Sequence, residues 1–141
     1  MTIAKGLVFG VAVALLTAAA NINTASAQDD FTGPTQGKGL SNETIGEIDL
    51  GPEIPGMDGR FMRLRYWEIQ PGGIVPVHSH ANRPSMIYVL EGEIIEHRSD
   101  DDQPHVYKAG EVSVEAEGVK HWWENKSDSV VKLLGYDIHQ P

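Results

Sequence analysis

The sequence predicts an all-β fold, a small sandwich or barrel built from short strands. From residue 43 onward, short runs of alternating apolar and polar residues follow one another, with glycine, proline and asparagine between them. Alternation is the pattern of a strand with one buried face. No run outside the N-terminal segment keeps a helical period of 3.6 residues. Short strands at regular spacing, separated by turn residues, are typical of a sandwich or barrel.

The first strands are bounded by clear turn signals. Residues 44–50 alternate, and residues 51–59, which hold two prolines and three glycines, are expected to form a loop. Residues 61–69 alternate again and place Arg63 and Arg65 on the same parity as Trp67. The side chains of these two arginines can face either the barrel interior or the solvent. A turn is expected at the Pro-Gly-Gly sequence that follows.

The later strands show the same pattern. Residues 86–90 and 93–97 are expected to pair around a Glu-Gly turn, and residues 99–104 form a polar loop. The remaining strands are expected at residues 105–107, 111–114, 121–124 and 130–138.

Residues 1–27 have the pattern of a secretory signal peptide. A short basic start precedes an apolar run at residues 6–20, and an Ala-Ser-Ala sequence ends at Ala27. The apolar run is shorter than the roughly 20 residues of a membrane-spanning helix, so we expect cleavage after Ala27 rather than a stable membrane anchor. The alternative is an N-terminal anchor helix. The protein is therefore expected to be periplasmic or secreted.

Composition limits the remaining chain to one domain and a few kinds of partner. Residues 28–42 are polar and predicted to be a flexible leader, and residues 43–141 are predicted to form a single barrel. A net charge of −9 argues against nucleic acid or an anionic membrane as a partner. The chain has no cysteine, so stability must come from packing, metal or association. We expect a homodimer, because pairing adds buried surface to a small domain.

Two histidines at alternate positions of an extended segment indicate a metal site. His78 and His80 project from the same face of a strand, because strand side chains alternate. His121 lies near the start of a later strand. Three imidazoles can hold a divalent transition metal and leave coordination positions open to substrate.

The spacing around the first two histidines resembles the first motif of the cupins, G-x5-H-x-H-x3,4-E-x6-G. Gly72, His78, His80 and Gly92 occupy motif positions, and Ser85 stands where the glutamate is usual. The second cupin motif, G-x5-P-x-G-x2-H-x3-N, is matched at the remaining positions with alanine in place of proline: Gly110, Ala116, Gly118, His121 and Asn125.

The resemblance implies a double-stranded β-helix, the jelly-roll-like cupin barrel, with His78, His80 and His121 as metal ligands. Iron(II) is the favoured metal, with zinc, manganese, nickel or copper as alternatives. The set without a glutamate is similar to the three-histidine cupins known from cysteine dioxygenase and diketone-cleaving dioxygenases. A metal held by neutral ligands keeps its full charge and should prefer small anionic substrates.

Further side chains are candidates for the site. A carboxylate from elsewhere, such as Glu115, can replace the motif glutamate, and Glu115 is the best candidate for a general base or for a hydrogen-bond partner of a metal ligand. Glu93, Glu96 and Glu117 are alternatives. Arg83 is a candidate for clamping a substrate carboxylate. The other three histidines are expected to be ordinary surface or half-buried residues: His97, His105 and His139.

Three functions from different classes remain open. The first is a metal-dependent dioxygenase acting on a small oxygenated or keto acid. The second is a non-redox isomerase, lyase or hydrolase that uses the metal to polarise a carbonyl or activate water. The third is a small-molecule-binding protein without turnover. Cupins include all three, so the fold does not choose among them.

Overall fold

The computed structural model describes residues 31–141, which contain eight strands and no helix. The second strand is long because its extended backbone continues through two consecutive glycines, Gly72 and Gly73. The strands are β1 (Lys38–Asp49), β2 (Phe61–Ser79), β3 (Ser85–Glu91), β4 (Glu93–Arg98), β5 (Asp101–Lys108), β6 (Val112–Glu115), β7 (Lys120–Glu124) and β8 (Val131–His139).

All pairings are antiparallel, and β2 is the central strand. The order is β5-β4-β7-β2-β8-β3-β6, with β1 also paired to β2, and the sheet curls into a nearly closed barrel. The first part of β2 pairs with β1 and β8, and its last part pairs with β7. The all-β, jelly-roll-like barrel predicted from the sequence is therefore confirmed.

The expected turn after residue 70 is instead a bend inside β2. Gly72 has a φ of 69°, a left-handed conformation that favours glycine. A Cβ at Gly73 would lie 2.6 Å from the Ile69 side chain and 2.7 Å from the Gln70 carbonyl oxygen. The two glycines let one strand change direction and pass from one part of the barrel to the other.

The barrel interior is apolar at one end and polar at the other. Alternate residues of β8 are buried, beginning with Val131 and ending with Asp137. In the β2–β8 register Ile69 faces Val131, whereas Arg63 faces Asp137. The apolar end is a cluster of buried side chains: Ile69, Ile87, Val89, Ile94, Trp123, Val131 and Leu133. A pocket therefore opens at the polar end, where ionisable side chains replace this core.

Two boundaries differ from those expected. β1 begins at Lys38, inside the segment predicted as a flexible leader, because Leu40 packs against the core and pairs with Ile69. β5 begins at Asp101, inside the predicted polar loop, where backbone pairing with β4 outweighs the polar composition. In both strands the first residue is set by pairing with a neighbouring strand, and the local sequence pattern does not reveal that pairing.

The predicted signal peptide, residues 1–27, lies outside the described residues. Within residues 31–141, no helix has the length and apolarity to cross a membrane.

Candidate metal centre

Three imidazoles meet in the polar half of the barrel. His78 and His80 lie on the last part of β2 and just beyond it, and His121 lies on β7 directly opposite His78 in the register. The Nε2 atom of His78 is 3.0 Å from that of His80 and 3.1 Å from that of His121. His80 and His121 are buried. Strand parity thus brings two rings together, and cross-strand pairing adds the third.

The hydrogen bonds of the other ring nitrogens define the tautomers. The Nδ1 of His78 donates to the carbonyl oxygen of Pro76 at 2.9 Å, and that of His80 donates to the carbonyl oxygen of Arg83 at 2.9 Å. A carbonyl oxygen only accepts, so the proton lies on Nδ1 and each Nε2 presents a lone pair. The residues therefore hold their rings in the form that binds a metal.

His121 is oriented by a buried carboxylate. Its Nδ1 lies 2.5 Å from Oε1 of Glu96, which is fully buried on β4. Glu96 also accepts hydrogen bonds from the Ser113 hydroxyl at 3.0 Å and from Arg98 at 3.3 Å. Burial alone would raise the pKa of Glu96, but the hydrogen bond from His121 and the charge of Arg98 hold it below the ordinary value. The carboxylate is therefore ionised and fixes the His121 ring.

Burial keeps two of the rings neutral. It lowers the pKa of His78 to about 4, with His121 adding to the effect, and lowers that of His80 to about 3. Neutral imidazole is the form that coordinates a metal, so protons compete weakly at physiological pH.

Glu115 is the nearest carboxylate to the Nε2 atoms. Its Oε2 lies 3.0 Å from Nε2 of His80, and its Oε1 lies 3.6 Å from Nδ1 of His121. The side chain is buried, which raises the pKa of Glu115, and Ser85 hydrogen-bonds to it. Glu96 and Glu115 also form a second close group with His121, on the Nδ1 side of that ring.

The donor set fits a divalent transition metal. Three Nε2 lone pairs converge, and atoms of these three residues lie within 4.8 Å of one another. Facing acceptors repel unless a cation lies between them, and imidazole nitrogen suits zinc, copper, iron and nickel.

A cavity of about 440 Å³ adjoins this cluster. Its polar lining includes Arg63, Arg65 and Arg83, all of which contact Asp137. The remaining wall is largely apolar, with Trp67, Val75, Ile87, Trp123 and Leu133.

Asp137 joins the three arginines. Arg63 binds it bidentately, with distances of 3.0 and 2.8 Å, and Arg83 and Arg65 contact Oδ2 at 3.0 and 3.3 Å. Burial would raise the pKa of Asp137, but these hydrogen bonds and charges hold it below the ordinary value. The sequence did not decide whether Arg63 and Arg65 face the barrel interior or the solvent. In the structure both side chains face the cavity.

Residues 65–138 match the family model of the cupin domain. The chain belongs to the cupin family. This confirms the resemblance drawn from the two motifs, and cupins commonly bind metals.

Curated relatives of this cupin include plant proteins. The chain is 27% identical over 136 residues to germin-like protein 5-1 of Oryza sativa subsp. japonica, which covers 88% of this chain and 62% of that protein. It is 30% identical over 99 residues to germin-like protein subfamily 2 member 2 of Arabidopsis thaliana, covering 66% and 45%. The chain spans between 36% and 62% of the length of the curated relatives it matches.

Solved structures show the same fold. The polyketide cyclase RemF from Streptomyces resistomycificus aligns with a TM-score of 0.60 and 21% identity, covering 78% of this chain and 72% of that one. A sugar phosphate isomerase from Silicibacter pomeroyi aligns with a TM-score of 0.58 and 20% identity, covering 84% and 65%. At these identities the likeness shows the fold alone.

The other site residues predicted from the sequence lie at different places in the cupin barrel. Arg83 lines the cavity, whereas Glu93 and Glu117 are exposed. The remaining histidines stand apart from the cluster and pair with acidic side chains: His97 with Glu124 at 2.8 Å, His105 with Asp101 at 3.0 Å, and His139 with Glu47 at 3.1 Å. His139 nevertheless reaches the cavity wall.

Sequence reasoning missed one residue of this site and weighted another too low. Asp137 was not singled out, although it occupies the same parity of β8 as the buried Val131 and Leu133. A charged residue on the apolar parity of a strand was the available signal. Glu96 was only an alternative carboxylate, but its parity matches that of the buried Ile94.

Proposed function

We propose that this cupin binds a divalent transition metal through His78, His80 and His121. The observation that carries the proposal is the convergence of three Nε2 atoms whose rings have their protons engaged on Nδ1. Glu115 is proposed as the carboxylate that completes the set, since it lies 3.0 Å from His80 Nε2. Such a set of nitrogen and oxygen ligands suits iron(II), which remains the favoured metal, with zinc, manganese, nickel or copper as alternatives.

The activity that we propose is an oxygenase reaction on a small oxygenated or keto acid. When bound, the metal would supply a Lewis acid beside the cavity and, as iron(II), one-electron chemistry with dioxygen. Arg83 lies in the same cavity and would orient a substrate carboxylate. The apolar wall of the cavity would limit the entry of water to the site.

A second candidate is a non-redox isomerase, lyase or hydrolase. It is favoured by Glu115, a buried carboxylate whose pKa is raised by burial and which therefore keeps a proton more readily than an exposed glutamate. In this reaction Glu115 would move a proton at the substrate, and the metal would polarise a carbonyl group.

The histidine series tests the metal site. Alanine at His78, His80 or His121 should each lower the metal content per chain sharply, because three ligands leave little redundancy. Alanine at His97, His105 or His139 should leave it unchanged. If all six variants keep the same metal content as the parent, the proposed site does not exist.

The reaction is tested on protein purified and reconstituted with iron(II) without oxygen. Oxygen consumption on adding a panel of keto acids and diketones supports the oxygenase. Turnover of the panel with zinc and without oxygen uptake supports the second candidate. Bound metal with no turnover by either route supports a binding protein.

We also propose that the protein is an exported homodimer. The export proposal comes from the sequence of residues 1–27 and is tested by mass spectrometry of the secreted or periplasmic protein, which should begin at Gln28. The dimer proposal is supported by an apolar face of six exposed, uncharged side chains on three adjacent strands: Met86, Tyr88, Leu90, Val112, Val114 and Tyr136. In a chain of net charge −9, such a neutral face allows two copies to meet without repulsion.

A further inference from the structure

We propose that Arg65 and Trp67 form a carboxylate-binding subsite that holds a small organic acid beside the histidine cluster. The inference rests on the proposed function, because it names the chemical class of ligand for that cavity. It adds a recognition pair that no motif of the sequence indicates.

Two buried donors in the cavity have no partner. The Nε atom of Arg65 and the Nε1 atom of Trp67 are buried without a hydrogen bond. Both residues line the cavity. Buried polar groups are nearly always paired, and an unpaired donor in a folded protein needs an explanation such as a missing ligand. Two such donors on alternate residues of one strand point to a single acceptor group.

The charges around the donors favour an anion. Asp137 is shared by Arg63, Arg65 and Arg83, so one carboxylate faces three guanidinium groups. Arg65 has the longest of these contacts, 3.3 Å, and so retains the most capacity for another acceptor. Two other carboxylates act electrostatically on these arginines, Glu115 on Arg65 and Glu47 on Arg63. Their oxygens are already in contact with His80 and His139 respectively.

Arg65 and Trp67 form a stacked pair. The guanidinium carbon of Arg65 lies 4.7 Å from the centroid of the Trp67 ring, a cation–π distance. Gly135 lies opposite Arg65 in the β2–β8 register. A Cβ at Gly135 would stand 3.0 Å from the indole Nε1, so any larger residue at this position would crowd the indole N–H.

A carboxylate matches these donors best. It is planar and offers two acceptor oxygens, one for each N–H, and its carbon chain can contact the apolar wall formed by Ile87 and Leu133. His78 and His80 line the same cavity, so an acid held at Arg65 presents its other end to the histidine cluster. Phosphate has tetrahedral geometry and no carbon chain to contact this wall.

The test uses malonate as the probe and isothermal titration calorimetry on the metal-free protein. The parent should bind malonate, and inorganic phosphate should bind at least tenfold more weakly. Trp67→Phe removes the indole N–H and keeps an aromatic ring, and should weaken malonate binding by about tenfold or more. Trp122→Phe is the matched control, because Trp122 stacks on His97 outside the cavity, and should bind malonate like the parent.

Arg65→Gln should weaken malonate binding more strongly than Trp67→Phe, since it removes the charge as well as the Nε donor. Absence of malonate binding in the parent, equal binding by Trp67→Phe, or phosphate binding as tight as malonate would overturn the proposal. Metal content is measured separately on each variant and should match the parent. A parent that takes up no metal but binds malonate through Trp67 refutes the proposed function and leaves this inference standing.

Discussion

The hydroxyl of Ser85 hydrogen-bonds to the carboxylate of Glu115, which faces it from the neighbouring strand β6. Ser85 occupies the glutamate position of the first cupin motif. The carboxylate absent from the motif is thus present one strand away, with Oε2 3.0 Å from Nε2 of His80. The serine at the motif position therefore hydrogen-bonds to a buried glutamate that the adjacent strand supplies.

This relationship predicts that Glu115 supports metal binding. Glu115→Gln should weaken metal affinity by about tenfold or more, because it removes a negative oxygen beside the cluster. Glu117→Gln is the matched control, since Glu117 is exposed two residues along the chain. Metal affinity is measured by competition with a chromophoric chelator.

The exchange of the two residues provides a stricter test. The double variant Ser85→Glu with Glu115→Ser should recover much of the affinity lost in Glu115→Gln, because the two positions are register partners. No recovery in a correctly folded double variant would show that the carboxylate acts only from β6.

Glu96 should act on the metal through His121. Glu96→Gln should weaken metal affinity by about 10–100-fold, the usual effect of losing the carboxylate that orients a histidine ligand. The nitrogen chemical shifts of His121 should also change, because the amide no longer enforces a proton on Nδ1. Glu124→Gln is the control, since Glu124 pairs with His97 in the same way outside the cluster. Unchanged affinity and shifts in Glu96→Gln would assign Glu96 a purely structural role.

Metal removal should lower thermal stability. A ligand that binds only the folded protein stabilises it by about 2.7 kcal/mol when its free concentration is 100 times its dissociation constant. The melting temperature should fall after chelation and recover with a divalent transition ion but not with magnesium, which prefers oxygen ligands. Calorimetry checks this, and recovery with magnesium would contradict an imidazole site.

Asp137 should stabilise the fold in a pH-dependent manner. Asp137→Asn leaves three guanidinium groups without their anion and should cost about 3 kcal/mol of unfolding free energy at neutral pH. The pKa of Asp137 is below its ordinary 3.8 in the folded protein, so the unfolded chain binds the proton more readily. The contribution is therefore complete well above pH 3.8 and is lost as pH falls through the folded pKa.

Urea unfolding of the metal-free protein at several pH values measures this effect. The difference in stability between the parent and Asp137→Asn should be largest at pH 7 and should shrink below about pH 4. Asp128→Asn, at an exposed position, should show no such difference. A difference that stays constant down to pH 3 would argue against an ionised Asp137 in this role.

The apolar face of β3, β6 and β8 should form the dimer contact. Val114 and Tyr136 both lie opposite Met86 in the register, so these three exposed side chains form one patch. Val114→Glu should produce a monomer in sedimentation velocity while metal content stays unchanged. Ile54→Glu, which changes an exposed apolar residue of the β1–β2 loop, should leave the dimer intact. A parent that sediments as a monomer at all concentrations would contradict the dimer.

Some of this site was readable from the sequence because its signals are local. The i, i+2 spacing of His78 and His80 fixes a common face on any extended strand. The glycines of the two motifs mark bends and turns, as at Gly72 with its positive φ. The alternation of apolar and polar residues is enough to predict a fold of strands, because a strand that packs on a core buries every second residue.

What only the tertiary structure decided is which strands meet, in which register and at which end of the barrel. Ser85 and Glu115 are thirty residues apart, and only the β3–β6 pairing places one against the other. The parity of Arg63 and Arg65 was visible, but their interior position depends on Asp137, supplied by β8. Buried charge is tolerated only where a partner from another strand meets it, and strand pairing is a property of the whole sheet rather than of any segment.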